Sequence, residues 1–317
     1  MSPARVIGVD AGGTKVLAGV VDEQLEVHHR ALRTWAGGDV ARPIDMVAEA
    51  IEEARRAHPG VEAVGVGVPS LVEWPAGVSR WSNHLGLGDV DVRSELAERI
   101  GLPVIVDNDA NVAAIADHRA GAARGADHVV LVALGTGIGG ALIIGGHLYR
   151  GAHGFAGELG HVVVDHDGVD CPGACPGRGC LEALASGRAI GVAAERRARA
   201  EPDSVLGRQL AEAGTVLGAV VTELAREGDP QARDVVADVG TRLGAGLTGL
   251  VNTFDPDLVV IGGGAVAAGD LLLEPARRVV RERALPPVAA ATQIVPAQFG
   301  EDAGMLGAAL LAMGEDG

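Results

Sequence analysis

Residues 5–22 read RVIGVDAGGTKVLAGVVD. An apolar run ends on Asp10, passes through Gly12-Gly13, and resumes from Lys15 to Asp22. That is the pattern of two buried strands, Arg5–Asp10 and Lys15–Asp22, joined by a tight glycine turn. The design returns at mid-chain. Asp127–Leu134 (DHVVLVAL) is a strand ending in Gly135-Thr136-Gly137. Ile138–Ile144 is the next strand, turning at Gly145-Gly146 towards His147–Tyr149. Two halves that both open with strand, glycine turn and strand predict a duplicated α/β core, with a cleft between two lobes.

The rest of the chain fills in that plan. Glu26–Thr34 adds a strand, Asp39–His58 an amphipathic helix, Val61–Val68 a strand, Val92–Ile100 a short helix and Val104–Asp107 a strand. In the second half, helices are expected at Leu181–Arg199, Ser204–Arg226, Pro230–Thr253 and Leu271–Arg283. Strands are expected at Asp257–Ile261 and Gln293–Val295, and a closing helix at Ala303–Met313. The lobe boundary is expected near Asp107–Asn111. A smaller lobe, 1–107, would be joined by the closing helix, 303–317, and a larger lobe would span 108–302.

Composition narrows the function classes. The chain has 317 residues, 48% of them apolar and 21% charged, which suits a large buried core and excludes wholesale disorder. Its 48 glycines fall in tight clusters, not in a collagen-like repeat. A net charge of −16 with no basic cluster argues against nucleic acid as a partner. No apolar run reaches bilayer length, and the N-terminus has no signal-peptide pattern, so a cytoplasmic protein is expected.

Several short motifs carry candidate chemistry. In Asp10-Ala11-Gly12-Gly13-Thr14-Lys15, glycines let backbone N–H groups approach a polyanion, Thr14 and Lys15 can add donors, and Asp10 can hold Mg2+. The same residues would also serve as a plain hairpin turn with a surface lysine. Gly135-Thr136-Gly137-Ile138-Gly139-Gly140 is a second such turn. The pair suggests a triphosphate gripped from both lobes, and neither fits a dinucleotide fold or a P-loop. Asp109, in Asn108-Asp109-Ala110-Asn111, stands where a helix begins. It is either an N-cap or the carboxylate that accepts a proton from a phosphoryl acceptor. All three cysteines lie in one loop (Cys171, Cys175, Cys180), shortly after His161, and three thiolates with one imidazole make a closed, structural zinc set. Glu158 and Glu182 flank that loop, either as acceptors for sugar hydroxyls or as solvated charges.

Together, Asp10–Lys15, Asn108–Asn111, Leu134–Gly140, Gly151–His161, Cys175–Glu182 and Asp255–Gly264 closely resemble the ROK family of sugar kinases and sugar-responsive repressors. The resemblance runs in the family's order across nearly the whole chain, and LGTGIGG with YRGAHGFAGELGH is its most specific part. It implies an actin/hexokinase-like fold of two ribonuclease-H-like lobes. It implies ATP-dependent phosphorylation of a sugar hydroxyl, for glucose the 6-hydroxyl, giving glucose 6-phosphate. Asp109 would be the general base. Asn83, Asn108, Asp109, Glu158, His161 and Glu182 would bind the sugar. His161 would also ligate zinc with Cys171, Cys175 and Cys180. Asp10, Gly12, Gly13, Thr14, Lys15, Gly135, Thr136 and Gly137 would surround the phosphates and Mg2+, with Gly263 and Gly264 near the adenosine.

Three positions depart from the family's pattern. Cys171-x3-Cys175 stands where Cys-x-Cys is common, Asp107 where Glu is common, and Ser70 where Gly usually follows Pro69. Asn83 rests on a weaker local match. Other acceptors within the family are N-acetylmannosamine, N-acetylglucosamine, mannose and fructose, and polyphosphate is an alternative donor. A sugar-sensing repressor would need a DNA-binding segment before the first glycine motif, which here begins at position 10. A homo-oligomer, dimer or tetramer, is the expected assembly.

Overall fold

The computed structural model describes residues 5–13, 15–34, 43–82 and 85–315. It contains two five-stranded sheets of the same order. The first runs β3-β2-β1-β4-β8, from β1 (Arg5–Ala11), β2 (Lys15–Asp22), β3 (Val27–Thr34), β4 (Val61–Val68) and β8 (Val104–Asn108). The second runs β11-β10-β9-β12-β13, from β9 (Val129–Leu134), β10 (Ile138–Ile144), β11 (His147–Leu148), β12 (Leu258–Gly262) and β13 (Gln293–Pro296). In the first, β1 pairs antiparallel with β2 and parallel with β4. In the second, β12 runs parallel to both β9 and β13. The expected duplication is thus a repeated strand order, and the fold is that of the actin-like ATPases. A small third sheet, β5 (Leu71–Glu73), β6 (Val78–Trp81) and β7 (Val90–Asp91), is an addition that the sequence reading lacks.

The chain divides into two compact units. Unit 1 is Met1–Asp127, Ala141–Gly157 and Glu301–Gly317; unit 2 is His128–Gly140 and Glu158–Gly300. The expected lobe boundary at 107 differs from this division, and packing explains the difference. Helix α3 (Asp109–Ala120) lies against the closing helix α11 (Ala303–Ala312) and so stays with unit 1.

In unit 1 the sheet is covered on both faces. Helix α1 (Pro43–Ala57) buries Ile44, Val47, Ala50, Ile51 and Ala54, a stripe at helical spacing, against Ile7, Val9 and Val20. On the opposite face lies α11, buried from Ala303 to Leu311. It approaches unusually closely because Gly8 in β1 and Gly65 in β4 face it. A side chain at either would collide with the Met305 or Ala308 carbonyl. Close backbone contact gains dispersion energy that even a methyl group would forbid. Helix α2 (Val92–Ile100) completes the α1 side, its N-terminus capped by Asp91 accepting from Ser94 N–H at 2.9 Å.

Unit 2 is more helical. The expected helix over 181–199 is two, α4 (Leu181–Ala185) and α5 (Gly187–Ala200), because Ser186 takes an extended conformation and caps α5 through Ala189 N–H. The expected helix over 204–226 also divides, into α6 (Val205–Ala213) and α7 (Gly218–Glu227), at Gly214 with its left-handed φ of 72°. Helix α8 (Pro230–Phe254) starts on an Asp229 cap with Pro at its first position. It packs on α9 (Asp270–Arg283) through Gly240 and Gly244, which face the α9 backbone. The short α10 (Pro286–Ala291) follows. Among the described residues, no helix is long and apolar enough to cross a membrane.

Candidate active site

In unit 1, three consecutive residues at the end of β8 set the geometry. Asp107 is fully buried. Its Oδ1 accepts from Asn108 N–H at 2.7 Å and from Asn111 Nδ2 at 2.9 Å, and its Oδ2 accepts from Arg150 Nε at 2.8 Å. Asn108 is the N-cap of α3, its Oδ1 accepting from Ala110 N–H at 2.8 Å and Asn111 N–H at 3.2 Å. Its Nδ2 donates to the Ser70 carbonyl at 3.3 Å. The capping role considered for Asp109 therefore belongs to Asn108. Asp109 is the first helical residue, with Oδ1 accepting from Ala110 N–H at 2.9 Å. A carboxylate there is favoured by the positive end of the helix dipole.

Asp10 is the last residue but one of β1 in the same unit, its side chain against the first turn of α11. A Cβ on Gly304 would lie 2.6 Å from Asp10 Cγ, so only glycine fits beside the carboxyl. Burial first, and then the Asp109 carboxylate, push Asp10 up to about 7, against an opposing pull from Lys15. A buried carboxyl whose charging is opposed by a neighbouring carboxylate offers hard oxygen ligands of the kind that suit a divalent cation such as Mg2+. Lys15, the expected phosphate donor, is ion-paired with Glu301. Among the described residues, a side chain on Gly12 would meet the Lys15 carbonyl at 3.6 Å, an ordinary contact distance. Thr14 and Asn83, both expected in the site, lie outside the described residues.

In unit 2 the second glycine turn is held from below. Gly135 N–H donates to the Gly137 carbonyl at 3.0 Å, and Gly187 N–H, at the start of α5, donates to the Gly135 carbonyl at 2.9 Å. Arg188 N–H reaches the Thr136 carbonyl at 3.3 Å. Glu182 Oε2 accepts from Ile138 N–H at 2.7 Å, and its carboxylate fills the place a Gly137 side chain would need. Glu182 is 3% exposed, so the reading of it as a solvated helix-end charge is overturned. Its Oε1 is buried without a hydrogen-bond partner, an acceptor of the kind a ligand hydroxyl satisfies. Gly263, with φ of 80°, lies against the Leu134 backbone, which sets Gly264 and its open surroundings next to the end of β9.

The cysteine loop draws four candidate ligands together. His161 Nδ1 lies 3.5 Å from Cys171 Sγ, and the ligand atoms of His161, Cys171, Cys175 and Cys180 all lie within 4.8 Å of one another. Tetrahedral zinc, with Zn–S of about 2.3 Å and Zn–N of about 2.0–2.1 Å, sets its ligand atoms roughly 3.5–3.8 Å apart, so the cluster fits. Burial, then the neighbouring Cys175 and Cys180, push the Cys171 thiol well up, and burial also raises Cys180. Thiolates at these positions therefore need a cation. Gly177 N–H donates to Cys175 Sγ at 3.3 Å, and Gly177 itself leaves room for the Cys180 sulfur. The other ring nitrogen of His161, Nε2, lies 3.8 Å from Glu158 Oε2.

Sequence reasoning missed Arg150 and Asn111, the two side chains that bind Asp107. A signal existed for the first: Arg150 is the one charged group in 145–157 apart from histidines, with no carboxylate near it in sequence to neutralise it.

The family model described as "ROK family" matches residues 6–315. A glucokinase of Streptomyces coelicolor is 37% identical, over 98% of both chains. The crystal structure of a ROK family glucokinase from Streptomyces griseus, in complex with glucose and AMPPNP, superposes with a TM-score of 0.89 at 37% identity, over 98% of this chain and 100% of that one. A putative N-acetylmannosamine kinase from Listeria monocytogenes superposes at 0.78 with 26% identity, over 99% and 100%.

Proposed function

This chain belongs to the ROK family and is a sugar kinase, and on that premise we propose that it transfers the γ-phosphoryl group of ATP to the 6-hydroxyl of glucose, forming glucose 6-phosphate and ADP. The observation that carries the reading is Asp109. Its carboxylate is fixed at the start of α3 by the Asn108 cap and stands close enough to Asp10 to raise that group's proton affinity.

Asp109 accepts the proton of the sugar hydroxyl as the new O–P bond forms and the bond from phosphorus to the ADP oxygen breaks. The transition state is loose, so the protein's work is positioning and charge neutralisation, and a carboxylate at the right place suffices as base. Asn108, Glu158, His161 and Glu182, with Asn83, bind sugar hydroxyls. Glu182 Oε1, buried and unpartnered, supports that role, as does the His161 ring that turns Nδ1 to the thiols and Nε2 towards Glu158. Gly12, Gly13, Thr14 and Lys15 in unit 1, and Gly135, Thr136 and Gly137 in unit 2, offer N–H groups to phosphates. Gly263 and Gly264 offer flat backbone to the adenosine. Asp10 would hold Mg2+, which neutralises phosphate charge when bound. His161, Cys171, Cys175 and Cys180 would hold a structural zinc that fixes the loop carrying Glu158 and Glu182.

The acceptor is tested by ADP formation from MgATP against glucose, mannose, fructose, N-acetylglucosamine and N-acetylmannosamine. The highest kcat/KM is expected for glucose. The Listeria relative favours a second reading, N-acetylmannosamine as acceptor, and a higher kcat/KM for that sugar would replace glucose.

A further inference from the structure

The buried ion pair between Arg150 and Asp107 has no part in binding sugar or nucleotide in the account above, yet it sits directly behind the proposed base. Burying a carboxylate and a guanidinium is costly unless geometry and hydrogen bonds are nearly complete. Here they are. Asp107 accepts three hydrogen bonds, from Asn108 N–H, Asn111 Nδ2 and Arg150 Nε, at 2.7, 2.9 and 2.8 Å. The Arg150 side chain is 11% exposed, and its guanidinium carbon lies 3.8 Å over the Trp74 ring centroid. The segment after Arg150 is docked on the same place. Ala156 N–H donates to the Arg150 carbonyl at 3.1 Å, and Gly154, with φ of 94°, lies where any side chain would meet the Trp74 backbone.

The two groups that Asp107 holds bracket Asp109. Asn108 precedes it and caps α3. Asn111 follows it in the first turn. The path from Arg150 to the Asp109 carboxylate thus passes through one carboxylate and two short hydrogen bonds, all in unit 1.

We propose that Arg150 is a positioning residue for phosphoryl transfer: clamped between Asp107 and Trp74, it fixes the first turn of α3 and with it the direction of the Asp109 carboxylate. The proposal rests on the reading of Asp109 as general base. Displacement of a catalytic group by about 1 Å can cost on the order of 10²-fold in rate. A lysine keeps the charge but cannot supply a planar fork that both bonds Asp107 and stacks on Trp74.

The test is steady-state turnover of Arg150→Lys, Asp109→Asn and the double variant, with thermal stability followed in parallel. A residue that only stabilises the fold would lower the Tm and the folded fraction but leave kcat per folded molecule at the parental value. The expected result for Arg150→Lys is a kcat reduced by on the order of 10²-fold, with the KM for MgATP within about twofold of the parent. In the Asp109→Asn background the same change should cost nothing further, because both act through one carboxylate. A parental kcat in Arg150→Lys beside an inactive Asp109→Asn would overturn this proposal alone, as would a full additional loss in the double variant. A parental kcat in Asp109→Asn would end the base assignment and this proposal together. If Arg150→Lys does not fold, Trp74→Leu removes the stacking partner and keeps the ion pair. It should lower kcat at an unchanged KM for MgATP, and a parental kcat there overturns the proposal.

Discussion

Asp10 and Asp109 are two carboxylates of one unit held in different surroundings. Asp109 stands at a helix start, where backbone dipoles favour its charge. Asp10 is pressed against α11 beside Gly304, and its proton affinity rises to about pH 7. An unfolded aspartate loses its proton near 3.8. Between those values the folded metal-free protein binds more protons than the unfolded chain, so its stability falls as pH rises, the loss being complete above about pH 7. Asp10→Asn removes this loss. Thermal melts of metal-free parent and variant should therefore agree best near pH 4 and diverge in the variant's favour by pH 8. A Tm difference that stays constant over that range would contradict the account. At this scale the sequence reading was informative about residue types and weak about which residue takes which role. Asn108 and Asp109 are adjacent, and only the backbone geometry assigned the cap to Asn108. For Glu182 the sequence left both a sugar contact and a solvated charge open, because no sequence pattern records that Gly137 leaves its carboxylate a place beside Ile138 N–H.

At the scale of elements, what was legible followed from strong local signals. The hairpins β1–β2 and β9–β10 are apolar runs punctuated by glycine, and α8 opens on Asp229-Pro230, so sequence and structure agree closely there. The breaks at Ser186 and Gly214 were lost because Ala-rich helical periodicity continues across both, while a single cap or left-handed residue ends each helix. The third sheet was lost because β5, β6 and β7 are three, four and two residues long. The cysteine loop has no helix or strand of its own to hold it. Isolated bridges, Val163 with Cys180 and Asp170 with Arg178, are its regular pairings among the described residues. Backbone hydrogen bonds such as Cys171 N–H to the Gly177 carbonyl, at 2.9 Å, also hold it, and the proposed zinc would add four further bonds. Cys175→Ser should reduce bound zinc well below one per chain, lower the Tm and raise the sugar KM through Glu158 and Glu182, while leaving the KM for MgATP nearly unchanged. Elemental analysis and melting curves check this, and a variant with one zinc per chain and parental stability would refute the site.

For the whole molecule, charge frames the problem that the site has to solve. A protein of net charge −16 repels ATP at long range. On the proposed assignment, nucleotide binding comes from local groups: glycine-turn N–H donors, a helix start and a cation that Asp10 would hold. Two sheets of the same strand order each place a glycine turn after their first strand, which is how a duplicated fold supplies such groups twice. That duplication was readable from the two glycine turns, whereas the division into units was not, because it depends on α3 packing against a helix from the far end of the chain. The central proposal is that Asp109 acts in the chemistry, beyond any contact it makes with the sugar. The most direct test measures ADP formation from MgATP and glucose by the parent and Asp109→Asn, with glucose binding to both followed by calorimetry. The expected result is glucose binding within a few-fold of the parent and a kcat lower by about 10²–10⁴-fold. A variant that turns over at the parental rate, or one that loses glucose binding as completely as turnover, would contradict it.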